Sequence, residues 1–175
     1  MDVTVRRAVE ADADRIARAI FPNHDPEDVK DNFRSCLKDD RVNIFVAETC
    51  DEVGAAGSSV SKSAAGRGAL APEIIGQVQV DLSGPPRTHV ARIYSMVVAE
   101  GLRRRGVGKR MMEFIEKWCR EQEVELILLE VYPDNVAALK FYEGSGFTRY
   151  GFLERGSKFE ASAYRDEILL RKWME

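Results

Sequence analysis

The chain has 175 residues, 45% of them hydrophobic, and a formal net charge of −3. Its length fits one globular domain with a sizeable core, so we expect a single domain over residues 1–175. The acidic balance argues against bulk binding of nucleic acid.

Strand and helix patterns alternate along the first half of the chain. Apolar residues at helical spacing predict a helix over 12–20, which the prolines that follow must end, and a second helix over 26–37. Residues 54–72 are mostly Gly, Ala and Ser, which predicts a flexible insertion in a strand-to-strand connection. Segments of β-branched or alternating apolar residues predict strands over 3–8, 42–50, 74–82 and 90–98.

The second half continues this alternation. Apolar residues from Met111 to Cys119 recur at helical spacing and predict a longer helix. Residues 126–132 are nearly all apolar, as expected of a strand buried on both faces. A short helix over 136–143 and strands over 147–153 and 166–173 follow, with an irregular connection between the two strands. These elements describe an α/β (α+β) chain.

A run of five cations and two glycines lies between the fourth strand and the longer helix: Arg103-Arg104-Arg105-Gly106-Val107-Gly108-Lys109-Arg110. The first turn of a helix leaves backbone N–H groups without partners and carries partial positive charge. Gly106 and Gly108 let a phosphate approach this backbone closely, while the basic side chains surround it. The run is not a P-loop, because Val107-Gly108 replaces the lysine and hydroxyl residue. It therefore predicts a site for a small anion.

A second group of polar residues lies on the predicted helix over 136–143. Asp134 is the expected N-cap, which places Asn135 at the helix start and Tyr142 seven residues later on the same face. The offset is about 10 Å along the axis, and the small Ala138 between them leaves space for an extended ligand. Asn135 offers an amide to a ligand amide, and Tyr142 a phenol that can donate a proton.

Cysteine usage indicates an intracellular compartment. The three cysteines are odd in number and lie outside any metal-ligand spacing, so we expect reduced thiols and no metal. The amino terminus has no apolar signal core, and no apolar segment approaches membrane-spanning length. We therefore expect a soluble cytoplasmic protein.

These motifs together resemble the GCN5-related N-acetyltransferase (GNAT) superfamily. The family's pyrophosphate signature, Arg or Gln, two residues, Gly, one residue, Gly or Ala, is similar to the run over 103–108. The preceding Met96-Val97-Val98-Ala99-Glu100 resembles the family's fourth strand and its exit. Its second signature is similar to residues 135–147, including the Gly146-Phe147 that begins the next strand. The resemblance covers nearly the whole chain except the 54–72 insertion.

The resemblance implies a GNAT fold, with a mixed central sheet of about six to seven strands flanked by about four helices. It implies acetyl-CoA as co-substrate in the gap between strands four and five, where the pantetheine arm augments the fourth strand. An N–H near Val98 would polarise the thioester carbonyl, and Tyr142 would protonate the CoA thiolate after direct attack by a primary amine. The implied cofactor-binding residues are Met96, Val97, Val98, Arg103, Arg104, Arg105, Gly106, Val107, Gly108, Lys109, Asn135, Ala138 and Tyr142.

The sequence departs from the family pattern at the general base. Many relatives carry Glu or His on the fourth strand, whereas here the strand offers Arg92, Tyr94 and Ser95, none of which is an ordinary base at neutral pH. A water relay is therefore favoured. The acidic or imidazole groups that remain as candidates are Asp81, His89, Glu100 and Glu130.

Two alternatives to an acetyltransferase stay open at this level. A non-catalytic acyl-CoA-binding or sensing domain would keep the cofactor site without the chemistry, and a nucleic-acid binder would use only the basic run. The acceptor, a small-molecule or peptide amine, is not specified, because the segments expected to select it (21–28, 54–72 and 154–164) carry little pattern. The protein is expected to be a monomer or homodimer without a nucleic-acid or membrane partner.

Overall fold

A computed structural model describes residues 1–49, 72–159 and 163–174. These residues contain seven strands, four α-helices and two 3-10 turns, at Glu10–Asp12 and Glu100–Leu102. The elements are β1 (Thr4–Arg7), α1 (Ala13–Ile20), α2 (Pro26–Leu37), β2 (Val42–Thr49), β3 (Glu73–Leu82), β4 (Val90–Val98), α3 (Val107–Glu121), β5 (Leu126–Val131), α4 (Val136–Gly144), β6 (Thr148–Phe159) and β7 (Ala163–Trp173).

The strands form one mixed sheet in the order β1-β2-β3-β4-β5-β7-β6. The β1–β2, β5–β7 and β6–β7 pairs are antiparallel, and β4 and β5 are parallel. This arrangement confirms the predicted α+β fold with its mixed sheet. Parallel neighbours need a crossover connection, and α3 supplies it between β4 and β5.

The described residues divide into two compact units. The first is drawn from 1–39, 44–78 and 96–111, and the second from 40–43, 79–95 and 112–175. Ile16 and Val46 are fully buried in the first unit, and Ile115, Ile127 and Leu170 in the second. The expectation of a single domain stays a prediction.

An ion-pair cluster joins β1, α1 and β2 within the first unit. The Arg6 guanidinium donates to Asp12 Oδ2 at 2.7 Å and to Glu48 Oε1 at 2.7 Å, and Arg15 donates to the same two carboxylates at 2.9 Å. The side chain of Asp12 is 2% exposed and that of Glu48 10%. Hydrogen bonds from Arg6 hold the pKa of both carboxyl groups below the ordinary values. The cluster therefore carries its full charge in the folded state.

The second unit has its own cross-element ion pair. Lys172 on β7 donates to Glu116 Oε1 on α3 at 2.6 Å and to the carbonyl oxygen of Ser145 after α4 at 2.8 Å. Because Lys172 lies opposite Ile127 on β5, both side chains share the sheet face that α3 covers. This contact shows which face of β5 is turned to the core.

Several predicted boundaries need correction. The helix expected over 12–20 begins with a 3-10 turn, and its α-helical part starts at Ala13. The irregular connection expected after residue 153 is instead a long hairpin, because β6 continues to Phe159 and β7 already starts at Ala163. Polar and glycine residues hide the two-residue alternation of a strand there, and the register shifts at Arg149/Gly151 and Leu153/Ser157 interrupt that alternation.

Two further expectations concern single segments. The strand over 126–132 is buried on one face only: Ile127, Leu129 and Val131 are buried, whereas Leu126, Leu128 and Glu130 are half-exposed. Residues 54–71 of the expected insertion lie outside the described residues, as does the end of the predicted second strand at residue 50. Within the residues described, no helix has the length and apolar content to cross a membrane.

The Arg6 cluster predicts a pH-dependent contribution to stability. Arg6→Leu should lower the free energy of unfolding by about 2 to 3 kcal/mol at pH 7, because two buried carboxylates lose charged hydrogen bonds. Since the folded pKa values of Asp12 and Glu48 are depressed, this contribution is present above the unfolded pKa values and is lost as the pH falls from about 5 to about 2. Urea denaturation across that range measures it.

Arg34→Leu is the control, because Arg34 forms an exposed pair with Asp31. Its effect should stay below about 1 kcal/mol at every pH. An Arg6→Leu deficit that persists unchanged at pH 2 would show that packing of the side chain, not the ion pairs, supplies the stability.

Candidate active site

The extended backbone of strand β4 is interrupted at Ser95. Its register with β5 runs from Val90–Leu126 to Arg92–Leu128 and stops there, although β4 continues to Val98. Ser95 has φ 46°, in the left-handed region, and Tyr94 and Ser95 are consecutive exposed residues. A left-handed residue interrupts the extended backbone of a strand. The final residues of β4 are thus separated from the β4–β5 ladder.

The backbone of Met96 and Val98 faces away from β3. The N–H of Ala99 donates to the carbonyl oxygen of Ile75 on β3 at 2.9 Å, so Ala99 and, two residues earlier, Val97 turn their backbone groups to that strand. By alternation, those of Met96 and Val98 point to the opposite edge. Met96 and Val98 therefore keep the orientation that binding of an extended ligand arm requires. Val97 can contribute to such a site only through its side chain.

The start of α3 is the place where the anion site is predicted. Gly106 has φ 85° and Arg104 φ 59°, and the N–H of Arg110 donates to the carbonyl oxygen of Gly106 at 3.0 Å. This bond opens the α-helix, so the N–H groups of the following three residues have no acceptor within the helix. The first turn of α3 carries no acidic side chain. A phosphate is the group that satisfies both the donors and the helix dipole.

The side chains around this predicted site divide into two groups. Arg103, Arg104, Arg105 and Lys109 are exposed, and a Cβ added to Gly106 would meet no atom within 4 Å. Val107 is only 1% exposed and can serve a ligand through its backbone alone. The Arg103 Nε donates to the carbonyl oxygen of Val98 at 3.3 Å, so this arginine connects the exit of β4 to the basic run. The exposed cations, the open space at Gly106 and the dipole of the helix start fit a pyrophosphate.

The N-cap of α4 is Asn135, not Asp134 as predicted. Asn135 Oδ1 accepts from the N–H of Ala138 at 3.1 Å, and the helix starts at Val136. Asp134 is held instead by Arg165, whose Nη2 lies 2.5 Å from both carboxylate oxygens and whose guanidinium stacks 4.0 Å over the Tyr132 ring. The Asn135 side-chain oxygen is therefore used within α4, and its NH2 group is the part it can offer to a ligand.

Tyr142 lies in an aromatic cluster near the end of α4. It is 8% exposed and packs edge-to-face against Phe141 at 5.2 Å and Phe147 at 5.6 Å between ring centroids. Burial raises the pKa of the Tyr142 phenol to about 12. The phenol therefore keeps its proton at every physiological pH, as a proton donor must.

The candidate bases lie in different environments. His89 precedes β4, where its carbonyl oxygen accepts from the N–H groups of Glu125 and Leu126, and Glu100 is exposed after β4. Glu130 lies on β5 and accepts from Arg92 Nη1 at 2.7 Å. Burial raises the pKa of the Glu130 carboxyl, and Arg92 opposes that rise. The pattern that could have singled out Glu130 is its position as the one charge in the apolar run Leu126–Val131.

A family model described as the acetyltransferase (GNAT) family matches residues 11–147 of the chain. The chain belongs to this family. It is therefore a GNAT-family acetyltransferase, and enzymes of the family take acyl groups from acyl-CoA donors. No curated protein sequence matches the chain.

Solved structures share the fold at low sequence identity. A probable acetyltransferase from Staphylococcus epidermidis is 19% identical, with 99% of this chain and 100% of that chain covered and a TM-score of 0.76. A spermidine N-acetyltransferase chimera from Vibrio cholerae and hSSAT is 15% identical, with 99% of this chain and 96% of that chain covered and a TM-score of 0.73. The ribosomal-protein-S18-alanine N-acetyltransferase from Escherichia coli is 15% identical, with 99% and 94% covered and a TM-score of 0.66. These similarities establish the GNAT fold.

The left-handed backbone of Gly106 at the start of α3 leads us to expect that a side chain there lowers stability. Gly106→Ala should lower the free energy of unfolding by about 1 to 2 kcal/mol, because an L side chain at this φ strains the backbone. Gly101→Ala is the matched control, since a Cβ there also meets nothing within 4 Å and its φ is not positive. Its stability should be equal to that of the unmodified protein or slightly higher. Equal stabilities of the two variants in urea denaturation would contradict the strain at Gly106.

Proposed function

We propose that this GNAT acetyltransferase moves an acetyl group from acetyl-CoA to a primary amine by direct attack, with Tyr142 as the acid that protonates the departing thiolate. The observation that carries the proposal is the early end of the β4–β5 ladder at Arg92 and Leu128. It leaves β4 with residues beyond the ladder, to which an extended pantetheine arm can hydrogen-bond as an added strand. Residues 1–175 are proposed to act as one domain, because the family match at 11–147 extends over residues of both units.

The nucleotide end of the cofactor is assigned to the start of α3. The N–H groups of Val107, Gly108 and Lys109 lie in the first helical turn, and Arg104 and Arg105 extend from the preceding turn into solvent. Helix-start donors and guanidinium groups together stabilise a pyrophosphate. Arg103 has a second role, since it also donates to Val98.

The acyl end of the cofactor is assigned to β4 and α4. The backbone of Met96 and Val98 would hold the pantetheine arm, and a backbone N–H in this stretch would polarise the acetyl carbonyl. The Asn135 NH2 group would donate to a pantetheine carbonyl, and the small Ala138 side chain would leave room for the arm. When bound, acetyl-CoA supplies a thioester carbonyl that an amine can attack.

Tyr142 would hold its proton at Oη until the thiolate leaves. Its aromatic surroundings disfavour a phenolate, and the same low polarity disfavours an unsolvated thiolate next to it. Transfer of the phenolic proton neutralises the thiolate as it forms, and the phenolate left at Oη takes the second proton of the acceptor nitrogen. Two structural neighbours are named as acetyltransferases of spermidine and of a ribosomal-protein alanine, which supports a primary amine as acceptor without choosing between a small molecule and a peptide.

Acetyl-CoA binding predicts a measurable stabilisation. At 100 times its dissociation constant, acetyl-CoA should raise the free energy of unfolding by about 2.7 kcal/mol. An Arg104→Ala/Arg105→Ala double variant should weaken acetyl-CoA binding but leave binding of S-acetylpantetheine, which lacks the pyrophosphate, unchanged. Lys117→Ala, an exposed residue further along α3, is the control. Absence of any acetyl-CoA shift in thermal denaturation of the unmodified protein would overturn the proposal.

Tyr142→Phe tests the assigned acid. With spermidine and a peptide beginning in alanine as acceptors, thiol release should fall by about 10²- to 10⁴-fold, because general acid catalysis is lost. The acetyl-CoA thermal shift should be retained, since only a hydroxyl is removed. Tyr150→Phe, at a tyrosine that is 41% exposed on β6, should keep the full rate. Full activity of Tyr142→Phe would remove Tyr142 from the mechanism.

A further inference from the structure

One face of the second unit's sheet carries a charged group that the proposed chemistry has not used. Lys172 shows that Ile127 and its alternate neighbours on β5 face α3. Leu128 and Glu130 therefore point to the other face, where Leu128 lies opposite Arg92 on β4 and Arg171 on β7. Glu130 is the one acidic side chain of β5, and it lies on the half-exposed face.

Glu130 lies where β4 and β5 have separated. Leu128 is the last β5 residue paired with β4, and Glu130 is two residues further toward the carboxyl end. Arg92, the last β4 residue in the ladder, bridges this opening with its Nη1 2.7 Å from Glu130 Oε1. The Glu130 side chain is 16% exposed. Its carboxylate is therefore fixed in place and can still exchange a proton with solvent.

The other candidate bases are less suitably placed. His89 lies at the amino end of β4, where the ladder is closed. Asp81 lies on β3, and Glu100 is exposed in the 3-10 turn after β4. None of these three is held by an ion pair at the opening, as Glu130 is. Glu130 alone among the four candidates combines a carboxylate, an ion pair with Arg92 and a position just beyond the end of the β4–β5 ladder.

We propose, on the basis of the function inferred above, that Glu130 accepts the proton of the acceptor ammonium and that Arg92 positions its carboxylate. A nitrogen–hydrogen bond breaks and a carboxyl oxygen–hydrogen bond forms, which frees the nitrogen lone pair to attack the acetyl carbonyl. The carbon–sulfur bond then breaks, and the thiolate takes the Tyr142 proton. The second nitrogen proton restores the Tyr142 phenol, and Glu130 releases its proton to water.

The charged groups around Glu130 act in opposite directions. Burial and Glu167 on β7 raise the pKa of Glu130, and Arg92 on β4 lowers it. Glu167 is itself fixed: Ser157 donates to it, and a Cβ on Gly156 would lie 2.6 Å from its Oε2. Tyr94 also lies near Arg92, and Arg171 is turned to the Tyr150 ring at 5.7 Å. Glu167 and Arg92 therefore shift the pKa of Glu130 in opposite directions.

The first test is Glu130→Gln, assayed with whichever acceptor, spermidine or the alanine peptide, gives the faster thiol release. At pH 7 kcat should fall by about 10²- to 10⁴-fold, and the deficit should shrink as the pH approaches the pKa of the amine. The acetyl-CoA thermal shift should be unchanged. Glu125→Gln, which removes an exposed carboxylate just before β5, is the control and should keep its activity.

The second test uses the pH profile of kcat, which should fall on the acidic side as the base becomes protonated. Glu167→Gln removes a charge that raises the pKa of Glu130, so the acidic limb should move to lower pH. Arg92→Gln removes a charge that lowers it, so the limb should move to higher pH. A structural role for either residue would change the rate without opposite shifts.

The outcomes separate the two proposals. If the unmodified enzyme releases no thiol with either amine, the proposed function fails. If it does, but Glu130→Gln keeps the full rate, only the role of Glu130 is overturned. If Glu130→Gln does not fold, the Arg92→Gln and Glu167→Gln variants decide instead. An acidic limb of the kcat profile that stays at the same pH in both variants would overturn the role of Glu130.

Discussion

The short ladder between β4 and β5 is the constraint on which the rest of the site depends. Parallel pairing holds over Val90–Arg92 and Leu126–Leu128, and the register ends there although both strands continue. Three residues further along β4, Ser95 has a left-handed backbone. In the function proposed above, an extended ligand arm takes up backbone groups of β4 that the β4–β5 ladder leaves unused.

Two ion-pair clusters in the molecule differ in whether hydrogen bonding or desolvation has the larger effect on the pKa of the carboxyl groups. In the Arg6 cluster, two guanidinium groups serve two carboxylates, and hydrogen bonding outweighs desolvation, so the pKa values of Asp12 and Glu48 fall. At Glu130 a single arginine serves the carboxylate and a second carboxylate, Glu167, lies nearby, so desolvation outweighs the ion pair and the pKa rises. The first arrangement fixes a charge for stability. The second leaves a carboxylate able to change its protonation state during a reaction.

Elements defined by local chemistry were predictable from the sequence. Pro26 sets the start of α2, with Asp25 capping it through the N–H of Glu27 at 2.8 Å, and β4 runs over the predicted 90–98. The β6–β7 hairpin was not predictable, because its outer half depends on cross-strand partners and on Glu167 lying over a glycine. The N-cap of α4 was also missed. Asp134 and Asn135 are both good caps, and Arg165, 31 residues away, removes Asp134 from that role.

The candidate site shows the same division. The basic run and the tyrosine of α4 could be proposed as site residues from the sequence, because their residue types and spacing carry the signal. Glu130 could be named only as one candidate among four, because what distinguishes it is Arg92, 38 residues earlier in the chain.

Burial raises the pKa of both proposed catalytic groups, although Tyr142 is proposed as the acid and Glu130 as the base. Removing water disfavours the charged form of any acid, so it raises the pKa of both the Tyr142 phenol and the Glu130 carboxyl. For a phenol that starts near 10, the rise secures the proton that the thiolate needs. For a carboxyl that starts at 4.5, the rise makes the carboxylate a stronger base. A fold that partly buries both groups can therefore supply an acid and a base without a histidine, which fits a fourth strand that carries neither Glu nor His.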